Sequence, residues 1–307
     1  MAQILKLDEA ADRSFFSESS CAFGVFDGFH IGHQALIGFA VEDAHARGEK
    51  AVALTFSIDP DELFRSDELK KLSGNAERIE RLAASGVDYV AVLPFDRAFA
   101  GKSPEEFLAW TFGSFVPKSI HVGVNFRFGA KASGTESTLR KWGMVHACRV
   151  CVHELTCAAG EPVSATRIRG LLAQGKIEEA NELLGHRYAV SGTVVSGRGE
   201  GAQMGIRTAN LDIPQALHVL GDGVYAAYAI VDGARYKAAV NMGVAATFAD
   251  RATANCEAHL LDFSGDIYGE CIELEFVAWL RPMKKFDDVD ELIAAITSNI
   301  SWVRDNL

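Results

Sequence analysis

Two imidazoles three residues apart, His30 and His33, stand in a glycine-rich stretch, Gly24-Val25-Phe26-Asp27-Gly28-Phe29-His30-Ile31-Gly32-His33. The chemistry such a stretch offers is the holding of phosphate. Gly24, Gly28 and Gly32 let a ligand come close to the backbone. A helix start supplies unpaired N–H groups and a partial positive charge. Imidazole adds donors where charge grows in a transition state. The plainer alternative is a strand-to-helix turn whose histidines pack. A second segment, Val163-Ser164-Ala165-Thr166-Arg167-Ile168-Arg169, gathers hydroxyls and guanidiniums at another helix start and suits the same ligand. Read together, the two make the halves of a triphosphate clamp. Further on, Gly197-Arg198-Gly199-Glu200-Gly201 precedes Gly205-Ile206-Arg207-Thr208-Ala209-Asn210-Leu211. Glycine N–H groups there suit phosphate, and Thr208 and Asn210 offer hard oxygens to Mg²⁺; the alternative is a flexible hairpin with a polar tip. Glu257 shares a strand face with His259 and Leu261. It could take a hydroxyl proton in phosphoryl transfer, or be a solvated strand carboxylate.

The elements that must position these residues differ between the two halves. In the first, apolar runs at Cys21-Ala22-Phe23, Ala51 to Phe56, Tyr89 to Leu93, Ser119 to Val124 and Arg149 to Leu155 predict buried strands. Helical patterns lie between them, including one from Asn75 stopped at Gly86 and one opened by Ser103-Pro104-Glu105-Glu106, a capping-box sequence with proline at the first turn. Alternating strands and helices predict a parallel sheet with helices on its faces, and ligands sit beyond the carboxyl ends of such strands. The His30/His33 turn lies there, and so does Asn125-Phe126-Arg127-Phe128-Gly129. Gly175 to Gly185 reads as a short linking helix. From Tyr188 the texture changes to strands joined without helices: Tyr188 to Val195, Gly223 to Val231 turned at Asp232-Gly233 into Tyr236 to Val240, Ala254 to Leu261, and Cys271 to Leu280. They predict a small antiparallel barrel. The apolar face Val289, Leu292, Ile293, Ile296, Ile300 and Val303 predicts a final helix covering an open side of it. The expected division is 1–185 and 186–307.

Composition narrows the function classes. The chain has 307 residues and a net charge of −11, which disfavours loose binding to nucleic acid or to an anionic membrane. No apolar run approaches a membrane span, and the first residues carry no signal-peptide pattern. A cytoplasmic protein with six reduced cysteines is expected. The cluster His146, Cys148, Cys151 and His153 has metal-ligand residue types. On a strand, however, residues an odd number apart point to opposite faces, so four ligands would not converge tetrahedrally.

Taken together, Gly24 to His33, Asn125 to Gly129 and Ser164 to Arg169 resemble the adenylyltransferase module of bacterial bifunctional riboflavin kinase/FAD synthetases. Thr208-Ala209-Asn210, Asn241-Met242-Gly243, Thr247-Phe248 and Glu257 to Phe263 resemble the riboflavin kinase module of that family. The resemblance spans nearly the whole chain. It implies an α/β nucleotidyltransferase-like domain followed by an antiparallel β-barrel domain. It implies two reactions, ATP-dependent phosphorylation of riboflavin to FMN and adenylylation of FMN to FAD with release of pyrophosphate. Riboflavin, FMN, FAD and ATP are then the partners, and Mg²⁺ the metal. By resemblance, His30 and His33 hold ATP phosphates within a cradle of Gly24, Phe26, Asp27, Gly28 and Gly32; Asn125 contacts nucleotide; Ser164, Thr166 and Arg169 form the second clamp. Gly197, Gly199 and Gly205 line the phosphates of the kinase site, Thr208 and Asn210 serve Mg²⁺–ATP, and Glu257 is the base on the riboflavin 5′-hydroxyl. Departures from the family pattern are Ser57-Ile58-Asp59-Pro60 where a histidine-containing turn is usual, Glu200 at a usually basic position, and Arg207 and Ala246 where proline is usual. Two other readings compete: FAD synthesis alone with a degenerate kinase module, and a flavin-binding regulatory protein without catalysis.

Overall fold

The computed structural model of the chain describes residues 2–64, 69–197, 206–217, 219–243, 255–286 and 288–307. It divides into two compact units, residues 1–69 with 74–164, and residues 70–73 with 165–307.

The first unit is built on six parallel strands: β1 (Gln3–Lys6), β2 (Ser19–Phe23), β3 (Lys50–Phe56), β4 (Tyr89–Leu93), β5 (Ser119–Gly123) and β6 (Arg149–His153), in the order β1-β4-β3-β2-β5-β6. Between them lie α1 (Ile31–Arg47), α2 (Pro60–Phe64), α3 (Asn75–Ala83), α4 (Arg97–Ala100), α5 (Pro104–Phe112) and α6 (Glu136–Val145). From β2 the chain moves outward through β3 and β4, then returns to β5 on the other side of β2. The carboxyl ends of β2 and β5 therefore flank the switch point where open parallel sheets bind ligands. The strands are buried on both faces, and their alternation sorts side chains by size. Phe23, Leu54, Phe107 and Phe112 fill one face. Ala22, Ala53 and Ala40 line the other, where small residues let α1 lie close to the sheet. Ser103 and Glu106 form the reciprocal capping box at the start of α5.

β1 escapes the sequence pattern because its four residues are mostly exposed at the sheet edge. Ser57-Ile58-Asp59-Pro60, read as a simple strand stop, instead leads into α2, with Asp59 N–H donating to Glu62 Oε1 at 3.0 Å. A two-stranded ribbon, β7 (Cys157–Ala158) and β8 (Glu161–Pro162), follows β6.

The second unit starts with α7 (Ala165–Ala173) and α8 (Ile177–Leu184), then a closed antiparallel barrel of β9 (Ala189–Val195), β10 (Ala209–Asp212), β11 (Gly223–Val231), β12 (Ala234–Gly243), β13 (Asn255–Leu260) and β14 (Cys271–Arg281), in the order β10-β13-β12-β11-β14-β9. Asp232 and Gly233 both adopt positive φ, 49° and 77°, in the two-residue hairpin turn between β11 and β12, as a type I′ turn requires. The linking helices pack with the barrel: Asn181 Nδ2 donates to Phe276 O at 2.9 Å, and Asn181 Oδ1 accepts from Tyr188 N–H at 2.7 Å. The final helix, α9 (Val289–Asn306), does not plug an open side, because β10 pairs with β9 and closes the ring. It lies on the outer surface, with Val303 against Ala226, Leu261 and Ala278.

Candidate active site

β2 delivers the chain into the His30/His33 turn through an uncommon backbone. Phe26 (φ 64°), Gly28 (φ 70°) and Phe29 (φ 41°) are all left-handed, and such conformations at two phenylalanines carry strain that the surrounding packing must offset. His30 is the N-cap of α1; its Nδ1 accepts from His33 N–H at 3.4 Å. That acceptance fixes the tautomer, leaving the proton of a neutral ring on Nε2. The two rings stack at 3.6 Å, and Phe26 stands edge-on to His33 at 5.3 Å. Burial pushes His30 down to about 4 and, together with the neighbouring His30, pushes His33 well below its ordinary value. Both are therefore neutral N–H donors at neutral pH. His33 Nδ1 is buried and has no partner among the described residues. A Cβ at Gly32 would come within 3.2 Å of His30 Nδ1, and one at Gly24 within 3.0 Å of the Phe26 ring, so a side chain at either position would press on these rings.

Ser164 reaches this neighbourhood through a ribbon contact. Val163 N–H donates to Thr156 O at 2.8 Å, and the Thr156 side chain lies 3.6 Å from where a Gly32 Cβ would stand. Thr166 and Arg169 belong to α7 in the second unit and meet each other, Arg169 Nη2 donating to Thr166 Oγ1 at 3.4 Å. Asn125 is exposed just past β5. The strand end beneath it is held by Val124 N–H donating to His153 O at 2.9 Å.

Two features of the first unit were not legible in the sequence. Arg78 on α3 is 1% exposed. Its guanidinium donates to Val25 O at 2.9 Å, Thr55 Oγ1 at 2.6 Å and Phe56 O at 2.8 Å. It ties the ends of β2 and β3 together directly beneath the turn. Burial lowers its pKa, countered by Asp59, the turn's own Asp27, and Glu62. The second is a polar network at Asp43 on α1. Asp43 Oδ2 accepts from Ser20 Oγ at 3.1 Å, Ser119 Oγ at 2.6 Å and His121 Nε2 at 3.1 Å, and Oδ1 accepts from Arg47 and Arg149. Burial would raise the carboxyl; these hydrogen bonds outweigh it and hold Asp43 well below the carboxylate range. His121 Nδ1 in turn shares a 2.9 Å hydrogen bond with His153 Nε2. Thus the side chains of the His/Cys cluster go elsewhere: His153 pairs with His121, and His146 Nδ1 bonds Trp142 O. Among the described residues no group of three or more His, Cys, Asp or Glu is placed to hold a metal.

On the barrel, register does the positioning. Asn210 on β10 stands directly opposite Glu257 on β13, which stands opposite Asn241 on β12. Directly opposed residues share a face, so an amide, a carboxylate and an amide form one row. Cys256 and Ala258, the strand neighbours of Glu257, are buried in the core, and the row faces outward. Thr208 precedes the first ladder pair of β10. Gly197 closes over Asn210: a Cβ there would lie 2.0 Å from Asn210 Nδ2. The hydroxyl of Thr208 and the amide oxygen of Asn210 are hard donors, half-buried and without side-chain partners among the described residues, and so fit Mg²⁺. β10 itself escaped the sequence reading because it is only four residues long, although Ala209-Asn210-Leu211-Asp212 does alternate apolar and polar. Gly199, Gly205 and the departures at Glu200 and Ala246 lie outside the described residues, as do Arg198, Thr247 and Phe248.

Known proteins divide the chain in the same two ways. The FAD synthetase family matches residues 12–167 and the riboflavin kinase family residues 184–307. A bifunctional riboflavin kinase/FMN adenylyltransferase of Listeria monocytogenes is 32% identical over 90% of this chain and 88% of its own length. That of Escherichia coli K12 is 34% identical over 89% of this chain and 88% of its own, and that of Bacillus subtilis 31% over 91% and 90%. A crystal structure of a protein titled as a macrolide-efflux protein, from Streptococcus pneumoniae, superposes over 99% of both chains with a TM-score of 0.84 and 28% identity. In this chain no helix among the described residues is long and apolar enough to cross a membrane. With both enzyme families matched in order along one chain and relatives sharing that architecture from end to end, this protein belongs to the bifunctional riboflavin kinase/FMN adenylyltransferase family of ATP-dependent transferases.

Proposed function

We propose that the barrel phosphorylates riboflavin to FMN with ATP and that the parallel-sheet domain adenylylates FMN to FAD, with the functional boundary between residues 185 and 186 and the enzyme acting in the cytoplasm. The observation that carries this reading is the contrast between the two sites. The barrel row presents a carboxylate between two amides, and the sheet presents neutral imidazoles at a helix start. In the barrel, Glu257 accepts the proton of the riboflavin 5′-hydroxyl as that oxygen attacks the γ-phosphorus. Thr208 and Asn210 hold Mg²⁺, which when bound neutralises phosphate charge, and Gly197, Gly199 and Gly205 bring backbone to the phosphates. In the sheet domain a phosphate oxygen of FMN attacks the α-phosphorus of ATP and pyrophosphate leaves. No proton has to be removed from that nucleophile, so positioning and charge stabilisation suffice. His30 and His33 donate to the phosphates within the Gly24, Phe26, Asp27, Gly28 and Gly32 cradle, Ser164 adds a hydroxyl from the same unit, and Asn125 contacts the nucleotide.

The test is incubation of the purified chain with Mg²⁺, ATP and either riboflavin or FMN, with products separated by chromatography. Glu257→Ala is expected to abolish FMN formation and leave FMN adenylylation within about twofold of wild type. FAD from FMN without FMN from riboflavin would remove the kinase half of the reading; loss of both activities in Glu257→Ala would refute the separate sites.

A further inference from the structure

We propose that His259 is a positioning residue of the kinase site, holding the backbone at Arg207 so that Thr208 and Asn210 stand correctly before Glu257. The proposal rests on the assignment of Thr208 and Asn210 to Mg²⁺–ATP. His259 lies on β13 two residues beyond Glu257 and so on the same outward face, opposite Ala239 of β12. Its Nδ1–H donates to Arg207 O at 2.7 Å, across 52 residues of sequence. The β10–β13 ladder has its last pair at Ala209 and Ala258. Ile206, Arg207 and Thr208 therefore approach the site before strand pairing begins. The imidazole extends the hold of β13 past that last pair, at the residue immediately before Thr208. One strand then carries both the base and the clamp on the metal-side segment. The separation between Glu257 and the Thr208 hydroxyl is set by a side-chain bond to the rigid barrel rather than by the approaching segment alone.

Arg207 makes such a bond consequential. It is exposed and, unlike a proline, leaves φ free. A single neutral hydrogen bond is worth about 0.5–1.5 kcal/mol net, or roughly two- to tenfold in the population of the correctly placed segment. Because Arg207 O can only accept, the bond requires a proton on Nδ1. An asparagine side chain can place its amide nitrogen near where Nδ1 stands, so it can restore the donor without the ring.

The experiment compares wild type, His259→Ala and His259→Asn. Without nucleotide or metal, amide hydrogen exchange in a peptide covering residues 206–212 is expected to accelerate about three- to tenfold in His259→Ala and to return toward wild type in His259→Asn. In riboflavin phosphorylation, KM for Mg²⁺–ATP is expected to rise by a similar factor in His259→Ala with a smaller change in kcat, again recovered by His259→Asn, while FMN adenylylation is unchanged. Unaltered exchange and KM in His259→Ala would overturn the proposal, and so would an asparagine variant no better than alanine, which would assign the ring to packing. A wild-type chain that makes no FMN from riboflavin would sink the kinase assignment, and the exchange measurement would then decide the anchor independently.

Discussion

Replacing Arg78 by methionine removes the guanidinium while keeping most of the side-chain volume. Arg78 is 1% exposed and bonds Val25 O, Thr55 Oγ1 and Phe56 O at 2.6–2.9 Å. After the change Val25 O still accepts from Thr55 Oγ1 at 3.2 Å, whereas Phe56 O loses the charged donor. Hydrogen bonds to charged groups contribute about 1.5–3 kcal/mol each, and an orphaned buried acceptor costs about 1–3 kcal/mol. Relief from burying the cation offsets part of this. A loss of about 3 kcal/mol in the stability of the first unit is the net expectation. The functional consequence is local: Val25 is the second residue of the turn, and with the guanidinium gone its carbonyl is held by Thr55 alone, which loosens the path from β2 into Phe26 and His30. FMN adenylylation is expected to fall at least tenfold, by the sensitivity of positioned reactions to small displacements, while riboflavin phosphorylation by the same preparation holds. Arg78→Lys keeps the charge but not the planar fork and should fall between. Urea unfolding and the two activity assays on one sample check this. Unchanged stability and adenylylation in Arg78→Met, or an equal fall in both activities, would refute the tether.

Two further outcomes follow from the same geometry. His30 has its folded pKa lowered to about 4 from 6.5 by burial; the unfolded chain therefore binds a proton that the folded chain refuses between those values. Its contribution is fully present above pH 6.5 and lost as pH falls through 4, about 3 kcal/mol; the urea midpoint of wild type should drop more than that of His30→Asn between pH 7.5 and 4.5, and parallel drops would contradict it. Gly197→Ala places a methyl 2.0 Å from Asn210 Nδ2 and must turn the amide away, so riboflavin phosphorylation should fall about tenfold with adenylylation and urea stability unchanged; an unaffected kinase would dissociate Asn210 from the reaction.

What the sequence disclosed depended on whether a signal was local. The capping box at Ser103 and Glu106, the Asp232-Gly233 turn and the β14 alternation are set by neighbours in sequence, and the structure carries all three. The His30/His33 turn was visible because its residue types are unusual together. Arg78 was not, because α3 reads as a mostly polar helix and only the tertiary fold turns that residue under the sheet. Asp43 likewise resembles a solvated helix carboxylate until Ser20, Ser119 and His121 arrive from β2 and β5. The closing of the barrel was hidden in β10, whose four residues look like a loop until they pair with β9 and β13.

The two sites differ in what they must exclude, and the chain solves each with a different kind of rigidity. Adenylyl transfer needs fixed donors and no base, and the donors here are neutral imidazoles locked by stacking and by the His30 Nδ1 acceptance. Phosphoryl transfer from ATP to a hydroxyl needs a base that stays ionised and in line, and Glu257 is fixed by register between two amides. A register error of one residue would turn Cys256 and Ala258 outward and carry Glu257 into the core, where an ionised carboxylate would cost several kcal/mol. The barrel's hydrophobic alternation therefore specifies the face that carries Glu257 as strictly as it specifies the core, and a substitution that weakens the β13 pattern, such as Ala258→Asp, would disturb both together.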